Sequence, residues 1–564
     1  MKNILKLFTV ISLLFINMVV FSQSKNMNLL GTWSDNTIPT NASGFRYNEV
    51  WGFVHKGKEY AVIASKIGTH IIDVTNDTNI HEVDRVLGKF RGNVVHRDYH
   101  SHNGYLYMVC DEGASSLQIA DLSYLPDSVH VIYDSDALII RSHNIFIDTN
   151  SNILYTAGGS NLTGGNQLSL IDISTPSNPF LLTNLGLNIP WWNSAIGYCH
   201  DIYVQNDTVY TNDGNAMHIV DLTNYSSPIL LGTLSTYPDK GYNHAGYLAA
   251  DNETYVMCDE THTKRVKFID VSSPSSITVT DLEGVVGGDP SAIPHNPIVF
   301  NKFAYVSYYY DGIYIYDISD KYDVKTSAFY DTYSGPNGYG YKGCWGVYPF
   351  LPSGKILVSD IYSGLLIFEH VKPPVIQFDT NRVLVLESGV STTVTVSLSH
   401  VYDDSVEVDV VIDTASTGIK NVDWSSSTVF PLHLKFPATS TASHSFTITT
   451  IDDTIFESTE TVIFKLENVI NGELNHFSSD TIFILDNEFV GLEEVKKDEL
   501  LIYPNPVKKG NSITFSKHLD FELMDVNGKV IQKKSNSNML STDKLSKGIY
   551  FISTDNKKVK FIVN

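Results

Sequence analysis

The 564-residue chain has only four cysteines, too few for a disulfide scaffold at this length, so its fold must rest on buried apolar surface. Charged residues make up 18 % of the sequence and hydrophobic ones 43 %, which excludes disorder for most of the chain and leaves length for three or four domains. Basic residues are scarce. With 39 Lys plus Arg against 62 Asp plus Glu, the formal charge of -23 repels phosphate backbones and anionic lipid. Nucleic acid is thereby excluded as a partner, while cations, glycans and proteins remain. No Gly-rich phosphate loop, nucleophile elbow or Cys-x-x-Cys pair occurs in context, so the common enzyme signatures are missing. Long apolar runs are missing too, apart from Leu5 to Phe21, which is shorter than the roughly 20 residues of a spanning helix. Lys2 precedes that run, Lys6 stands at its start, and Ser22 offers a small residue before Gln23. Residues 1–22 therefore read as a secretory signal peptide, and no transmembrane helix is expected in the mature form.

What the chain has in abundance is a short apolar strand ending in an acidic residue. It recurs as Ile71-Ile72-Asp73-Val74, Ile119-Ala120-Asp121-Leu122, Leu170-Ile171-Asp172-Ile173, Ile219-Val220-Asp221-Leu222, Phe268-Ile269-Asp270-Val271, Ile315-Tyr316-Asp317-Ile318 and Ile367-Phe368-Glu369. The seven copies stand about 49 residues apart, and each carries an earlier pair of strands with Asn, Asp or Gly turns between them. All-β units that cannot bury their own faces stack around a channel, which predicts a seven-bladed β-propeller over residues 27–370. A β-solenoid is the alternative, but its coils are shorter. Leu29-Leu30-Gly31-Thr32-Trp33 resembles the outer strand Leu230-Leu231-Gly232-Thr233-Leu234, and the seventh repeat lacks such a strand. The N-terminal strand is thus expected to complete the last blade. Cys110 and Cys258 fall on middle strands of blades 2 and 5 and Cys199 and Cys344 at the start of inner strands of blades 4 and 7, so equivalent positions lie on non-neighbouring blades and all four read as buried thiols.

Residues 374–488 are rich in Val, Thr and Ser with strand alternation and read as a β-sandwich. Its acidic residues gather where strands end. The pattern of Glu387-Ser388-Gly389, Asp423-Trp424, Asp452-Asp453 with Glu457 and Glu460, and Asp486-Asn487-Glu488 resembles Calx-beta domains. The resemblance implies calcium ligation by Glu387, Asp423, Asp452, Asp453, Glu457, Glu460 and Asp486. Asn487 stands where calcium-binding members carry Asp, and acidic turn residues without a metal would look the same. After a linker at 489–499, residues 500–564 hold Tyr503-Pro504-Asn505-Pro506, then Asp525-Val526-Asn527-Gly528-Lys529, then Lys547-Gly548-Ile549-Tyr550-Phe551. Those motifs in that order resemble the type IX secretion C-terminal sorting domain of Bacteroidetes, a small β-sandwich. The resemblance implies type IX secretion machinery as a partner and a secreted or cell-surface location.

The propeller itself, through Ser142-His143-Asn144-Ile145, Cys199-His200-Asp201, Asn243-His244-Ala245-Gly246, Pro294-His295-Asn296 and Trp345-Gly346-Val347-Tyr348, resembles the choice-of-anchor B family with LVIVD-type repeats. That family implies a surface location and no agreed activity. One register stands out chemically. Counting back from the aromatic of the following strand places His96, His143, His200, His244 and His295 at the start of the inner strands of blades 2 to 6, with Trp51 and Trp345 there in blades 1 and 7. Five imidazoles converging on one mouth suit a transition metal, with Asp98, Asp111, Glu112, Asp201, Asp259 and Glu260 near enough in sequence to assist. A purely structural role, each imidazole bonding a neighbouring blade's backbone, fits the same register. Trp191, Trp192, Tyr308, Tyr309 and Tyr310 are candidates for glycan platforms. The expected function is an exported binding or adhesion protein for a glycan or protein ligand. The alternative is a metal-dependent extracellular hydrolase or oxidoreductase centred on the histidines.

Overall fold

The computed structural model describes residues 24–161, 164–165, 168–440, 443–488, 500–554 and 557–564; the signal-peptide reading and the linker lie outside the described residues. No helix among the described residues is long and apolar enough to cross a membrane. Residues 24–370 form seven antiparallel sheets in sequence order, apart from one small two-stranded ribbon. Their first strands are Tyr47–His55, Arg97–His102, Asn144–Asp148, Asp201–Gln205, Asn243–Leu248, Pro297–Phe300 and Cys344–Tyr348. Each packs on the next and the seventh packs on the first, so these strands line a closed ring. This is a β-propeller, and the sheets are numbered here as blades 1 to 7.

Burial is graded from the inner to the outer strands. Lys58–Ser65, second in blade 1, is buried from Glu59 onward, whereas the outer strand Ile229–Leu234 of blade 4 is mostly exposed. The acidic residue that marks each repeat has a local reason. Asp73, Asp121, Asp172, Asp221, Asp270 and Asp317 each accept, at the end of the third strand, a hydrogen bond from the backbone N–H two residues on. This side-chain turn stops the strand and redirects the chain outward. All four cysteines are free and buried.

Met27–Trp33 pairs antiparallel with Gly364–His370 as the outer strand of blade 7. Its glycine packs as its internal counterpart does. A Cβ on Gly31 would stand 2.2 Å from Ile80 Cδ1, and one on Gly232 would stand 2.0 Å from Pro274 O, each on the following blade's loop. Ser24–Lys25 adds a short fifth strand to blade 6. Asn26, at φ 53°, carries the chain from one blade to the next, and the sandwich grips it there. Its N–H donates to Asp403 Oδ2 at 2.8 Å, Asp403 N–H donates back to Asn26 Oδ1 at 3.2 Å, and Lys25 pairs with Asp404 at 2.8 Å.

Residues 375–485 form two five-stranded sheets packed on Phe378, Val396, Trp424, Phe436, Phe464 and Ile482. Five strands from Ile502–Tyr503 to Lys558–Val563 form the C-terminal unit around Ile513, Phe521, Leu523, Ile552 and Phe561.

Candidate functional site

The ring position lies where the chain enters each inner strand. His143 and His200 stand just before Asn144–Asp148 and Asp201–Gln205, and His244 sits in a bulge between Asn243 and Ala245. Ring centroids are 4.4 Å apart for His96–His143, 4.1 Å for His143–His200, 4.3 Å for His200–His244 and 4.7 Å for His244–His295. Trp345 closes the circle at 5.0 Å from His295 and 5.6 Å from His96. The five expected imidazoles and Trp345 are therefore brought together.

Trp51 is not among them. Blade 1 starts its inner strand early and has a bulge between Tyr47 and Val50, so Trp51 pairs with Val62 well inside the strand. There it lies 4.6 Å from His100 and 4.9 Å from Tyr348. It belongs to a second collar lower in the channel, in which His100, Phe146, Tyr203, Tyr247, Phe350 and Tyr348 follow one another in edge or tilted contact.

Between the two collars is a cavity of about 90 Å³ lined by Glu49, Asp98, Asp201, Asn144 and Asn296. Asp98 Oδ2 accepts from Ile145 N–H at 2.7 Å. Glu49 accepts from Val50 N–H at 2.9 Å and Asn296 Nδ2 at 3.1 Å. Burial pushes Glu49 and Asp201 up to about 8 and Asp98 up to about 7. Burial also holds His96, His200 and His244 well below the ordinary imidazole range, and His295 down at about 3. His143 moves the other way. Burial opposes its charge, but the Asp111 carboxylate 3.0 Å from Nδ1, with Asp201 and Asp98 behind, outweighs that cost.

The acidic helpers divide. Asp111 meets His143, Glu112 Oε2 accepts from His96 N–H at 3.3 Å, and Glu260 Oε2 stands 3.7 Å from His244 Nε2. Asp259 is drawn away to buried Lys267, 3.1 Å distant, and to the Tyr237 hydroxyl. The expected glycan platforms are mostly core: Trp192, Tyr308, Tyr309 and Tyr310 are buried. Tyr309 instead joins the site, packing 4.7 Å from His295 and donating its hydroxyl to Glu260 Oε1. The exposed aromatics at this end are Tyr242, 5.4 Å from His200, Tyr341, 5.2 Å from Tyr309, and Tyr339, 4.7 Å from His262. Sequence reasoning missed them, although the loop Gly338-Tyr339-Gly340-Tyr341 before an inner strand was a signal for exposed tyrosines.

In the sandwich, Glu387, Asp486 and Glu488 form one carboxylate group, and Glu387, Asp453 and Glu457 a second that shares Glu387. Burial, then the charges of Asp453, Glu457, Asp486 and Glu488, pushes Glu387 up to about 7. Burial, then Asp423, does the same to Glu460. Asp452 is bonded by Asn487 Nδ2 at 2.8 Å, the residue that departs from the Calx-beta pattern. Glu488 joins the cluster although it was not among the expected ligands.

Two family models match the chain. That of the secretion system C-terminal sorting domain covers residues 501–564, and that of the LVIVD repeat covers residues 163–185 and 196–236. No curated protein matches. Among solved structures, the chain is similar to the apo form of the Calx CBD1 domain, with 22 % identity, TM-score 0.18, and coverage of 21 % of this chain and 99 % of that one. It is similar to the WD40 domain of Pan2 from Neurospora crassa, with 9 % identity, TM-score 0.42, and coverage of 62 % and 96 %. A protein from Lactobacillus plantarum gives 10 % identity, TM-score 0.42, and coverage of 62 % and 92 %. Fold and sorting signal together define an all-β propeller protein exported through type IX secretion to the cell surface or beyond.

Proposed function

We propose that the mature protein is a cell-surface binding protein whose propeller takes a glycan or protein ligand at the end bearing the histidine ring. The rim of that end carries the reading. Tyr242, Tyr339 and Tyr341 are 38 %, 78 % and 46 % exposed around a buried polar throat. Aromatic faces paired with polar groups suit sugar rings and peptide planes alike. A surface location, which the choice-of-anchor B resemblance also implies, puts such a rim in reach of extracellular polymers. Immobilised mature protein is expected to retain at least one member of a panel of extracellular polysaccharides and surface proteins. Tyr339→Ala with Tyr341→Ala should weaken retention about tenfold or more, with melting unchanged. Undiminished retention by that variant would move the site elsewhere, and turnover of the retained polymer would favour the metal-dependent enzyme.

We further infer that the sandwich binds calcium. Glu387 Oε1, Glu457 Oε2, Glu460 Oε2 and Glu488 Oε2 are buried without a hydrogen-bond partner, and a hard cation satisfies several such oxygens at once. When bound, calcium supplies only charge neutralisation and cross-linking of the loops. Millimolar calcium is expected to stabilise the sandwich of the full chain by about 2.7 kcal/mol at a hundredfold excess over Kd, read as a rise in its melting transition. Glu387→Gln with Asp453→Asn should abolish the shift. Calorimetry showing no shift in the unaltered protein would refute the site.

A further inference from the structure

We propose that the histidine ring binds one divalent transition-metal ion through His143, His200 and His244. One nitrogen from each lies within 4.8 Å of the others, a spacing that small side-chain shifts close to metal-ligand distances. The inference builds on the binding reading of this end of the propeller, and the two fail separately.

Tautomers come first. A backbone carbonyl can only accept, so His200 Nδ1, 3.2 Å from His244 O, carries the proton. The same holds for His295 Nδ1, 2.6 Å from Trp345 O. His143 Nδ1 faces the Asp111 carboxylate at 3.0 Å. Each of these rings has Nδ1 bonded outward, which makes Nε2 the nitrogen that would bind a metal; in His143 the metal would first displace the proton that Asp111 favours. An outer oxygen acceptor that fixes the tautomer and stiffens the ring is the usual setting of a metal-ligating histidine.

His244 supplies an independent observation. It is 2 % exposed, its Nδ1 has no hydrogen-bond partner, and its Nε2 faces Glu260 Oε2 at 3.7 Å, too far for a hydrogen bond. Bonding to a neighbouring blade's backbone accounts for His200 and His295 but leaves buried His244 Nδ1 unsatisfied. A buried polar group in that state is costly, and coordination removes the cost.

Charge and donor type then select the ligand. Converging lone pairs repel an anion. Below them lie Glu49, Asp98 and Asp201, with no Lys or Arg paired to any of them among the described residues. A cation is favoured, and nitrogen donors choose zinc, copper, nickel, cobalt or iron over calcium or magnesium. Glu260, His244 and His295 form an overlapping group, but Glu260 Oε1 is already held by the Tyr309 hydroxyl at 2.5 Å, which leaves only Oε2 to join as an added ligand. The three histidines are therefore the first set, with a fourth position left for water, a carboxylate or an exogenous ligand.

The test uses the full mature chain, stripped with a chelator and titrated with Co²⁺ alone. One Co²⁺ per chain with the visible absorption of a nitrogen-ligated, low-coordinate site is expected. His200→Ala with His244→Ala should weaken its binding about a hundredfold or more, while metal-free melting reports whether the variant folds. If it does not fold, His143→Asn read in the same way decides. Folded protein without the cobalt spectrum overturns the site, and so does an unchanged spectrum in the folded variants. Metal-free protein that retains a polysaccharide or protein ligand and binds no cobalt overturns the metal site alone. Bound cobalt with no ligand retained overturns the binding reading alone.

Discussion

A chain lacking residues 24–33 is expected to melt roughly 10 °C lower in its propeller transition and to associate through the opened edge. The deletion removes the strand Met27–Trp33 from blade 7 and Ser24–Lys25 from blade 6. Met27 is buried, and Trp33 packs 5.3 Å from His70 and 6.1 Å from Tyr47 across the blade 7 to blade 1 seam. Burial of side chains like these contributes roughly 1.5–3 kcal/mol each. Losing a few of them from a domain this large shifts melting by roughly the amount stated. Gly364–His370 would then present an unpaired row of backbone groups, which templates pairing between chains. The grip of Asp403 on Asn26 and of Asp404 on Lys25 would go too, so the sandwich should loosen from the propeller. Calorimetry and light scattering on the truncated and complete mature chains check this. Equal melting and an unchanged monomer peak would show that the ring does not depend on its closing strand.

Much of this architecture was legible because one local rule repeats. The acidic residue closing each third strand makes a turn that depends only on residues two apart, so it shows in the sequence as it does in the structure. Gly31 and Gly232 were readable as equivalents for a similar reason: each must pass close to the next blade's loop. The short first strand of the N-terminal segment, Ser24–Lys25, was not legible, since two residues carry no periodicity and the sandwich holds Lys25 and the following Asn26 through Asp404 and Asp403.

The site divides along the same line. His96, His143, His200, His244 and His295 share a register, and the register predicts their ring. Trp51 was misplaced because a bulge between Tyr47 and Val50 changes the count of residues without changing the pattern of apolar ones. The carboxylate tier was half visible. Asp98 and Asp201 neighbour histidines in sequence, but Glu49 reaches the cavity from blade 1, where no histidine draws attention to it. The exposed Tyr339 and Tyr341 lie in a long loop before blade 7, and Tyr242 in the loop before blade 5, whose paths no strand period specifies.

Glu49 supports the second large prediction. Its carboxyl is buried against Asn296 and the backbone of Val50, and burial first, then the Asp98 charge, pushes it up to about 8 from the ordinary value of 4.5. The unfolded chain loses this proton near the ordinary value while the folded chain keeps it. Between those limits the native state binds more protons, so its stability falls as pH rises and the contribution is gone once pH passes about 8. Each such group contributes a slope of about 1.4 kcal/mol per pH unit inside its window. Glu49→Gln removes one group from that slope. The amide can still accept from Val50 N–H, and a flip of Asn296, whose Oδ1 has no partner, lets the new amino group donate to it. The variant should therefore match the unaltered chain near pH 4.5 and exceed it by a few kcal/mol near pH 8, leaving a residual slope from Asp98 and Asp201. Denaturant unfolding of both proteins across that range, with chelator present so that no cation neutralises the tier, measures the difference. Parallel pH profiles would mean that Glu49 is ionised in the folded channel and paired there by a charge.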